Sequence, residues 1–313
     1  MGQRGKQNHE SSPAEAVFEG QPTGIAEVVL TFEACNATLP SSMKRFGILY
    51  HPKIEKARSL ADRLESLLVA QGVSLWQCSA WDEDEARPQV AGSDLILSIG
   101  GDGTILHAAR IIAPSAVPIL GVNLGKLGFI TELNADEALS NLPSLLEGKG
   151  WVEERAMLEA QMGDGDFLAL NDVVVRSTAV HLINIEVKID GEVLTTYRAD
   201  GIIVATATGS TGYSLAAGGP VLHPEAKEIV LQPVSCHLGL NHALVLPPQT
   251  TVGLKIASRD MAILSLDGQV DTPLSSEQIV RVKPSRYVAC FLRTHQPSYF
   301  YGSLWQKLWG DRA

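Results

Sequence analysis

No stretch of this 313-residue sequence approaches the twenty or so consecutive apolar residues that a helix needs to span a bilayer. The N-terminus also lacks the charged-then-apolar order of a signal peptide. Cysteine is scarce: Cys35, Cys78, Cys236 and Cys290 lie far apart, with no CxxC pair and no metal-ligand spacing. Four reduced thiols in a cytoplasmic protein are the expectation. Positive charge is short as well, with 25 Lys and Arg against 35 Asp and Glu and a net charge of −10. That balance argues against a nucleic-acid or anionic-membrane surface, while leaving room for a local basic pocket. There is no internal repeat and no low-complexity segment. What is present, 45% hydrophobic and 19% charged residues over this length, suits a soluble chain of one large or two ordinary domains.

The most informative stretch is Asp94-Leu-Ile-Leu-Ser-Ile-Gly-Gly-Asp-Gly-Thr-Ile-Leu-His107. Leu95 to Ile99 is an unbroken apolar run, as expected of a strand buried on both faces of a parallel sheet. Gly100, Gly101 and Gly103 break the run, and Thr104 is placed to cap a helix whose apolar stripe is Ile105, Leu106, Ala108, Ala109, Ile111 and Ile112. Strand, glycine turn and helix N-terminus together point backbone N–H groups at an anion, most often a phosphate. A dinucleotide fingerprint of the G-x-G-x-x-G kind fails at Leu106, and a Walker A loop fails at Leu120 and Leu127. Asp102 is the unusual residue, because a carboxylate in such a turn is repelled by the ligand. It either holds a divalent cation or takes a proton from a hydroxyl that attacks a phosphate, and both imply phosphoryl transfer. The plain alternative is a tight turn with no ligand.

In chain order, residues 1–43 read as a disordered extension, with Ile25 to Phe32 its single strand candidate. From residue 44 the pattern is α/β. Strands are predicted at Phe46–Tyr50, Val73–Trp76 and Val117–Val122, and a helix through Ala57, Leu60, Ala61, Leu64, Leu67 and Leu68. Asp82 to Glu85 reads as a solvated acidic loop. Strand and helix alternating at this spacing predict a doubly wound, mostly parallel sheet, whose ligands sit beyond the carboxyl ends of the strands. Asn123-Leu-Gly-Lys-Leu-Gly-Phe129 falls at such an end, where Lys126 either reaches a phosphate or is an ordinary loop lysine. A helix over Ala135–Leu146 ends at Gly148, and from Trp151 helical periodicity nearly vanishes. Short Val-, Ile- and Thr-rich runs then alternate with turns, Asp190-Gly191 giving the clearest hairpin. The chain therefore divides into an α/β N-terminal domain at 44–149, an all-β C-terminal domain at 150–298, and a helix at 299–313 that packs back on the first domain.

Within the β half, Asp200 to Pro220 stands apart. A strand at Ile202–Ala205 enters Thr208-Gly-Ser-Thr-Gly-Tyr-Ser214, where Gly209 and Gly212 permit close approach to a ligand and Tyr213 offers a stacking face. A loop without a ligand is the competing reading. Asn171 and Asp172 pair an amide with a carboxylate at a strand start, suited to the vicinal hydroxyls of a sugar or to a capping turn.

In order along the chain, Gly100-Gly-Asp-Gly-Thr104, Asn123 to Phe129, Asn171-Asp172, Asp200-Gly201, Thr208-Gly-Ser-Thr211, Ala217-Gly-Gly-Pro220, Leu246-Pro-Pro248 and Asp267-Gly-Gln269 together resemble the NAD kinase family. The likeness covers roughly residues 45–308. The first motif alone is shared with diacylglycerol and sphingosine kinases and, more loosely, with phosphofructokinases; the later ones are specific. The resemblance implies an α/β domain followed by an all-β domain with the site between them. It also implies transfer of the γ-phosphoryl of ATP, or of polyphosphate, to the 2′-hydroxyl of the adenosine ribose of NAD, giving NADP.

By the same resemblance, Asp102 falls at the family's proton acceptor. Gly103, Asn171, Asp172, His181, Arg198, Asp200, Thr211, Gly212, Tyr213, Ser214, Leu215, Ala216 and Gln269 fall at NAD-contacting positions. Gly100, Gly101, Gly103, Thr104 and Lys126 are the candidates for the phosphates of ATP. Where the family more often has Glu, Asp172 is one methylene shorter; Ala207 replaces a usual Pro and Gly212 a usual Ala. A divalent cation, expected to be Mg²⁺, is implied without protein side chains as its ligands. NAD and ATP are the expected partners, with no nucleic acid or membrane, in a homo-oligomer (dimer or tetramer). A lipid kinase with the same turn and a non-catalytic dinucleotide-binding regulator are the alternatives.

Overall fold

Buried on both faces, the apolar runs of Arg45–Tyr50 (β1), Leu95–Gly100 (β3) and Ile119–Asn123 (β4) form the parallel centre of a large mixed sheet. The structure is a computed structural model that describes residues 39–125, 128–257, 261–276 and 278–309. Around that centre lie α1 (Glu55–Ala70), β2 (Ser74–Ser79), α2 (Glu83–Val90), α3 (Asp102–Ile112), the two-residue β5 (Leu133–Asn134), α4 (Ala135–Ser140) and α5 (Leu142–Leu146). Strand order β4-β3-β1-β2 is parallel throughout. Leu60, Ala61, Leu64 and Leu68 of α1 pack on one face of the sheet, and Ile105, Ala108, Ala109 and Ile112 of α3 on the other. The doubly wound arrangement expected from the sequence is present, and the β3–α3 turn opens at the carboxyl edge of the sheet.

Strands dominate the second half: β6 (Trp151–Met162), β7 (Gly165–Ala169), β8 (Asp172–Ser177), β9 (Ile183–Ile189), β10 (Glu192–Ala199), β11 (Gly201–Ala205), β12 (Ile229–Val234), β13 (Leu244–Leu246), β14 (Val252–Ile256), β15 (Ala262–Leu266), β16 (Val270–Leu274) and β17 (Ile279–Arg293). Among the described residues, only the short α6 (Tyr213–Ala216) and a 3₁₀ turn at Gly209–Thr211 interrupt them before α7 (Tyr299–Trp309). An all-antiparallel second sheet has the order β13-β12-β11-β8-β15-β16. It packs on β9, β14, β6 and β17 through Val173, Val175, Ile202, Val204, Ile185, Leu254 and the fully buried Tyr197. At roughly 1.5–3 kcal/mol per fully buried large apolar side chain, this interface is the main source of stability for the β half. The first sheet also continues into that half: β17 runs parallel to β4 through Phe291 and Ile119 and antiparallel to β14 and β6.

Local departures from the sequence reading have physical causes. The acidic run is not a loop: Asp82 caps α2 by accepting the Glu85 N–H at 3.3 Å, and its acids occupy the first turn, where the helix dipole favours them. Only Ala86 and Val90 anchor that helix in the core, too few to register as a period. The helix expected over 135–146 is two, α4 and α5, meeting at Asn141 two residues before Pro143. Thr104 is not the cap of α3; Gly101 takes that place, and the helix begins at Asp102. Cys78 and Cys236 are free thiols, and Cys35 lies outside the described residues. The expected extension lies outside the described residues except for 39–43, where Met43 is buried against the α1 and α5 side of the sheet. No helix among the described residues is long and apolar enough to cross a membrane.

Candidate active site

Strand β3 delivers the chain to Gly100 with no room for a side chain, since a Cβ there would overlap the Thr104 hydroxyl. Gly101 follows in an extended conformation, with no side-chain cap on the first turn of α3. The first residue of α3, Asp102, accepts hydrogen bonds from the backbone N–H groups of Phe129 (2.8 Å), Ile130 (3.2 Å) and Thr131 (3.2 Å). A Cβ on Gly128 would overlap that carboxylate. Thr131 Oγ1 in turn accepts from Gly128 N–H and Asn123 Nδ2, at 3.0 and 3.2 Å. The sequence reading gave two reasons for an acid in this turn, and the structure supplies a third. Asp102 holds the loop after β4 against the start of α3. About one of the roughly four acceptor positions of a carboxylate is left for anything else.

The opposite wall is built on Asn171 and Asp172 at the start of β8. The Gly209 backbone lies so close to Asn171 that any side chain there would collide. Thr206 fixes the approach, its N–H donating to Asn171 O at 2.9 Å and its hydroxyl to Leu170 O at 2.6 Å. Beside them is a pocket of about 270 Å³ lined by Asn171, Asp172, Val174, Tyr213, Asp267 and Gly268. Tyr213 is 44% exposed, so its ring is open to a ligand. The two walls meet through the β15–β16 turn, where Gln269 Nε2 donates to Gly103 O at 2.7 Å.

Nine buried side-chain polar atoms have no protein partner among the described residues, and four belong to residues singled out from the sequence: Thr104 Oγ1, Asn171 Oδ1, Ser214 Oγ and Gln269 Oε1. Buried polar atoms are nearly always satisfied, so Asn171 Oδ1, which belongs to a residue lining the pocket, is an acceptor that a ligand or water would complete. Asp172 adds a charge effect. Burial first, then the neighbouring Asp267 carboxylate, push it up to about 7. Asp267 is also pushed up by burial, opposed by the N–H groups of Leu170, Asn171 and Asp172 and by Arg110. Both carboxyls are thus pushed up, Asp267 against the pull of three N–H groups and a guanidinium.

The remaining candidates separate. Gly212 and Thr211 border the pocket loop, with Thr211 Oγ1 donating to Thr208 O at 3.0 Å, and Leu215 and Ala216 follow in α6. His181, Arg198 and Asp200 sit at the far end of the β8–β11 pair: Asp200 O accepts the Ser177 N–H at 2.9 Å, whereas Asp172 pairs with Ala205. The four residue steps from Gly201 to Ala205 span roughly 13 Å at the usual strand rise. None of these three lines the Asn171–Asp172 pocket, although Arg176, opposite Gly201, does. Lys126 lies outside the described residues. Thr104 is 1% exposed and turned into the core. Arg110 was missed, and Asp267 was quoted only within the Asp267-Gly-Gln269 stretch of the resemblance, with no role given to it.

Comparison with known proteins accounts for this arrangement. Residues 50–150 match the family model of the ATP-NAD kinase N-terminal domain and residues 170–294 that of the ATP-NAD kinase C-terminal domain. The sequence is 44% identical over 275 residues to the NAD kinase of Dehalococcoides mccartyi, covering 86% of this chain and 97% of that one. It is 38% identical over 272 residues to the NAD kinase of Chloroflexus aurantiacus, covering 85% and 99%. Among solved structures, an NAD kinase from Archaeoglobus fulgidus in complex with ATP superposes with a TM-score of 0.68 at 26% identity, covering 84% of this chain and 98% of that one. Yeast NADH kinase complexed with NADH superposes with a TM-score of 0.76 at 24% identity, covering 87% and 89%, a likeness of fold.

Proposed function

This chain belongs to the NAD kinase family, and on that premise we propose how its residues divide the work of the reaction. The enzyme is a kinase that carries a phosphoryl group from ATP to NAD, forming NADP. In our reading the acceptor is the 2′-hydroxyl of the adenosine ribose. Asn171 and Asp172 hold that nucleoside in the pocket under Tyr213, and Gln269 and Gly103 lie where the ribose meets the phosphates. The observation that carries the reading is the 2.7 Å bond from Gln269 to Gly103, which sets the nucleoside-sized pocket against the helix that starts at Asp102.

Phosphoryl transfer passes through a loose transition state, so positioning and charge neutralisation are the main tasks. The uncapped first turn of α3, at Gly101 to Gly103, offers N–H groups to the donor phosphates. Asp102, anchored by three N–H bonds, presents its remaining acceptor position to the 2′-hydroxyl, orients it and takes its proton late. No three carboxylate, imidazole or thiol groups converge among the described residues. We therefore write the divalent cation as part of the donor, MgATP, where it neutralises phosphate charge. Polyphosphate as a second donor is kept as an arm of the test.

We also propose a homo-oligomer. Strand β10 is an edge strand carrying the exposed Val193 and Leu194 at its start, and the exposed Leu238 lies opposite Arg198 near its other end. His181, Arg198 and Asp200 lie at this end of the β half, placed to serve the pocket of a second copy. A cytoplasmic location, where ATP and NAD are both abundant, completes the proposal.

The test is incubation of the pure protein with NAD, Mg²⁺ and either ATP or polyphosphate, reading NADP with an NADP-specific dehydrogenase. NADP formed with ATP supports the assignment. Binding of NAD without turnover would favour a dinucleotide-binding regulator, and turnover only with a lipid alcohol would favour the lipid kinase.

A further inference from the structure

Asp267 is among the most buried charged side chains of the molecule, its carboxylate fully shielded from solvent. It stands at a turn with φ of 53°, a conformation that asparagine or glycine would adopt with less strain and no buried charge. Its two oxygens are divided between the two walls of the site. Oδ1 accepts the N–H groups of Asn171 (2.7 Å) and Asp172 (3.1 Å). Oδ2 accepts the Leu170 N–H at 3.0 Å and faces Arg110 Nη1 at 3.4 Å. Arg110 lies eight residues along α3 from Asp102 and is itself held in place. Its Nη2 is 3.1 Å from His107 Nδ1, and the His107 ring packs on Trp81 at 4.0 Å, which in turn meets His51 at 4.6 Å. Burial, and then the Arg110 charge, push His107 down to about 4, so its neutral ring accepts from the guanidinium.

We propose that Asp267 is a positioning residue for phosphoryl transfer, clamping the Leu170–Asp172 backbone to helix α3 through Arg110 and so fixing the nucleoside pocket at its distance from Asp102. The proposal rests on the reading that Asn171 and Asp172 hold the acceptor nucleoside. Chemistry that depends on alignment loses up to about a hundredfold from a displacement near 1 Å, even when the displaced group is not a reacting one. The clamp also has an electrostatic consequence. The titratable groups that line the pocket with Asp172 are Asp267 from the β15–β16 turn, Arg176 of β8, Asp271 of β16 and the Tyr213 phenol of α6, and of these Asp267 acts on the Asp172 carboxyl. Asp267 adds to burial in pushing the Asp172 carboxyl up.

The experiment compares wild type, Asp267→Asn and Asn171→Ala for KM of NAD, KM of ATP, kcat and the pH profile of kcat/KM for NAD. Asn can still accept the Asn171 and Asp172 N–H groups through its single oxygen, but its NH₂ faces the Leu170 N–H and Arg110 donors. Expected for Asp267→Asn is a fall in kcat/KM for NAD of roughly ten- to a hundredfold, with KM for ATP held within about threefold. The acid limb of the profile should move to lower pH, because part of the burial and the Asp267 charge that push Asp172 up are both lost. If Asn171→Ala raises the KM for NAD while Asp267→Asn keeps wild-type kcat/KM and pH limb, the clamp is overturned. If Asn171→Ala leaves the KM for NAD unchanged, the pocket reading itself is overturned and the clamp with it. Should Asp267→Asn fail to fold, Arg110→Gln carries the test. Loss of kcat/KM for NAD, partly restored in Arg110→Lys, supports the clamp, and wild-type kinetics in Arg110→Gln overturn it.

Discussion

Gln269 donates an Nε2–H hydrogen bond to the carbonyl oxygen of Gly103 at 2.7 Å, across 166 positions of sequence. Gly103 follows Asp102, the proposed proton acceptor, on α3, and Gln269 closes the turn that begins with Asp267. The bond therefore joins the glycine turn after β3 of one sheet to the β15–β16 turn beside the pocket of the other. Gln269→Ala removes a single bond worth about 1 kcal/mol of stability. Its larger expected effect is kinetic, a rise in the KM for NAD of about tenfold with a smaller change in that for ATP, read by steady-state assay.

Gly128 leaves no space for a side chain because the Asp102 carboxylate occupies it. Gly128→Ala must push either the loop or the carboxylate aside. A displacement approaching 1 Å at the reacting group costs up to about a hundredfold in kcat. A variant with wild-type kcat and an unchanged melting temperature would show that Asp102 is not held where catalysis needs it.

Asp172 carries a proton in the folded protein up to about pH 7, whereas the unfolded chain releases it near its ordinary value of 3.8. Between those limits the folded state binds more protons, so this group's contribution to stability falls as pH rises from about 4 to about 7. Asp172→Asn removes that slope. The melting-temperature difference, wild type minus variant, should therefore grow as pH is lowered from 7 towards 4. A difference independent of pH would contradict the burial of this carboxyl.

Arg293 bridges Glu153 (2.6 Å) and Glu132 (3.1 Å), and donates to Ile130 O at 2.8 Å, all within the junction between the sheet and α7. Burial raises both glutamates but is outweighed, at Glu132 by Arg293 and the N–H groups of Thr294 and His295, at Glu153 by Arg155 and Arg293, so both stay below the ordinary range. Arg293→Leu removes the guanidinium that the two buried carboxylates share, leaving Glu153 with Arg155 and Glu132 with the N–H groups of Thr294 and His295, and should cost about 3 kcal/mol in denaturant unfolding. Since Ile130 also donates to Asp102, kcat should fall in parallel.

How far the sequence discloses this molecule depends on whether a residue acts through its neighbours in the chain. Leu95–Gly100 was legible because a strand buried on both faces shows as an unbroken apolar run, and the glycines after it mark the turn directly. The Asp190-Gly191 hairpin was legible for the same local reason, both residues taking positive φ. Helix α2 was not, because its two buried anchors are outnumbered by solvated acids. Asp267 was hidden more deeply. Its partners are backbone N–H groups of Leu170 to Asp172 and a guanidinium on α3, and backbone donors have no sequence identity to search for. The same holds for the loop that grips Asp102. Pattern reading identified the acid and missed the three N–H groups that fix it.

The account stands most directly on the kcat of Asp102→Asn, measured with saturating MgATP and NAD beside the affinity for NAD and the melting temperature. Loss of the proton acceptor should lower kcat by about a hundredfold or more, a barrier increase near 3 kcal/mol. Affinity for NAD should stay within about threefold of wild type, because the nucleoside is held by Asn171 and Asp172 rather than by this carboxylate. A folded variant that turns over at near the wild-type rate would contradict the role of Asp102, leaving it the anchor of the Phe129–Thr131 loop and nothing more.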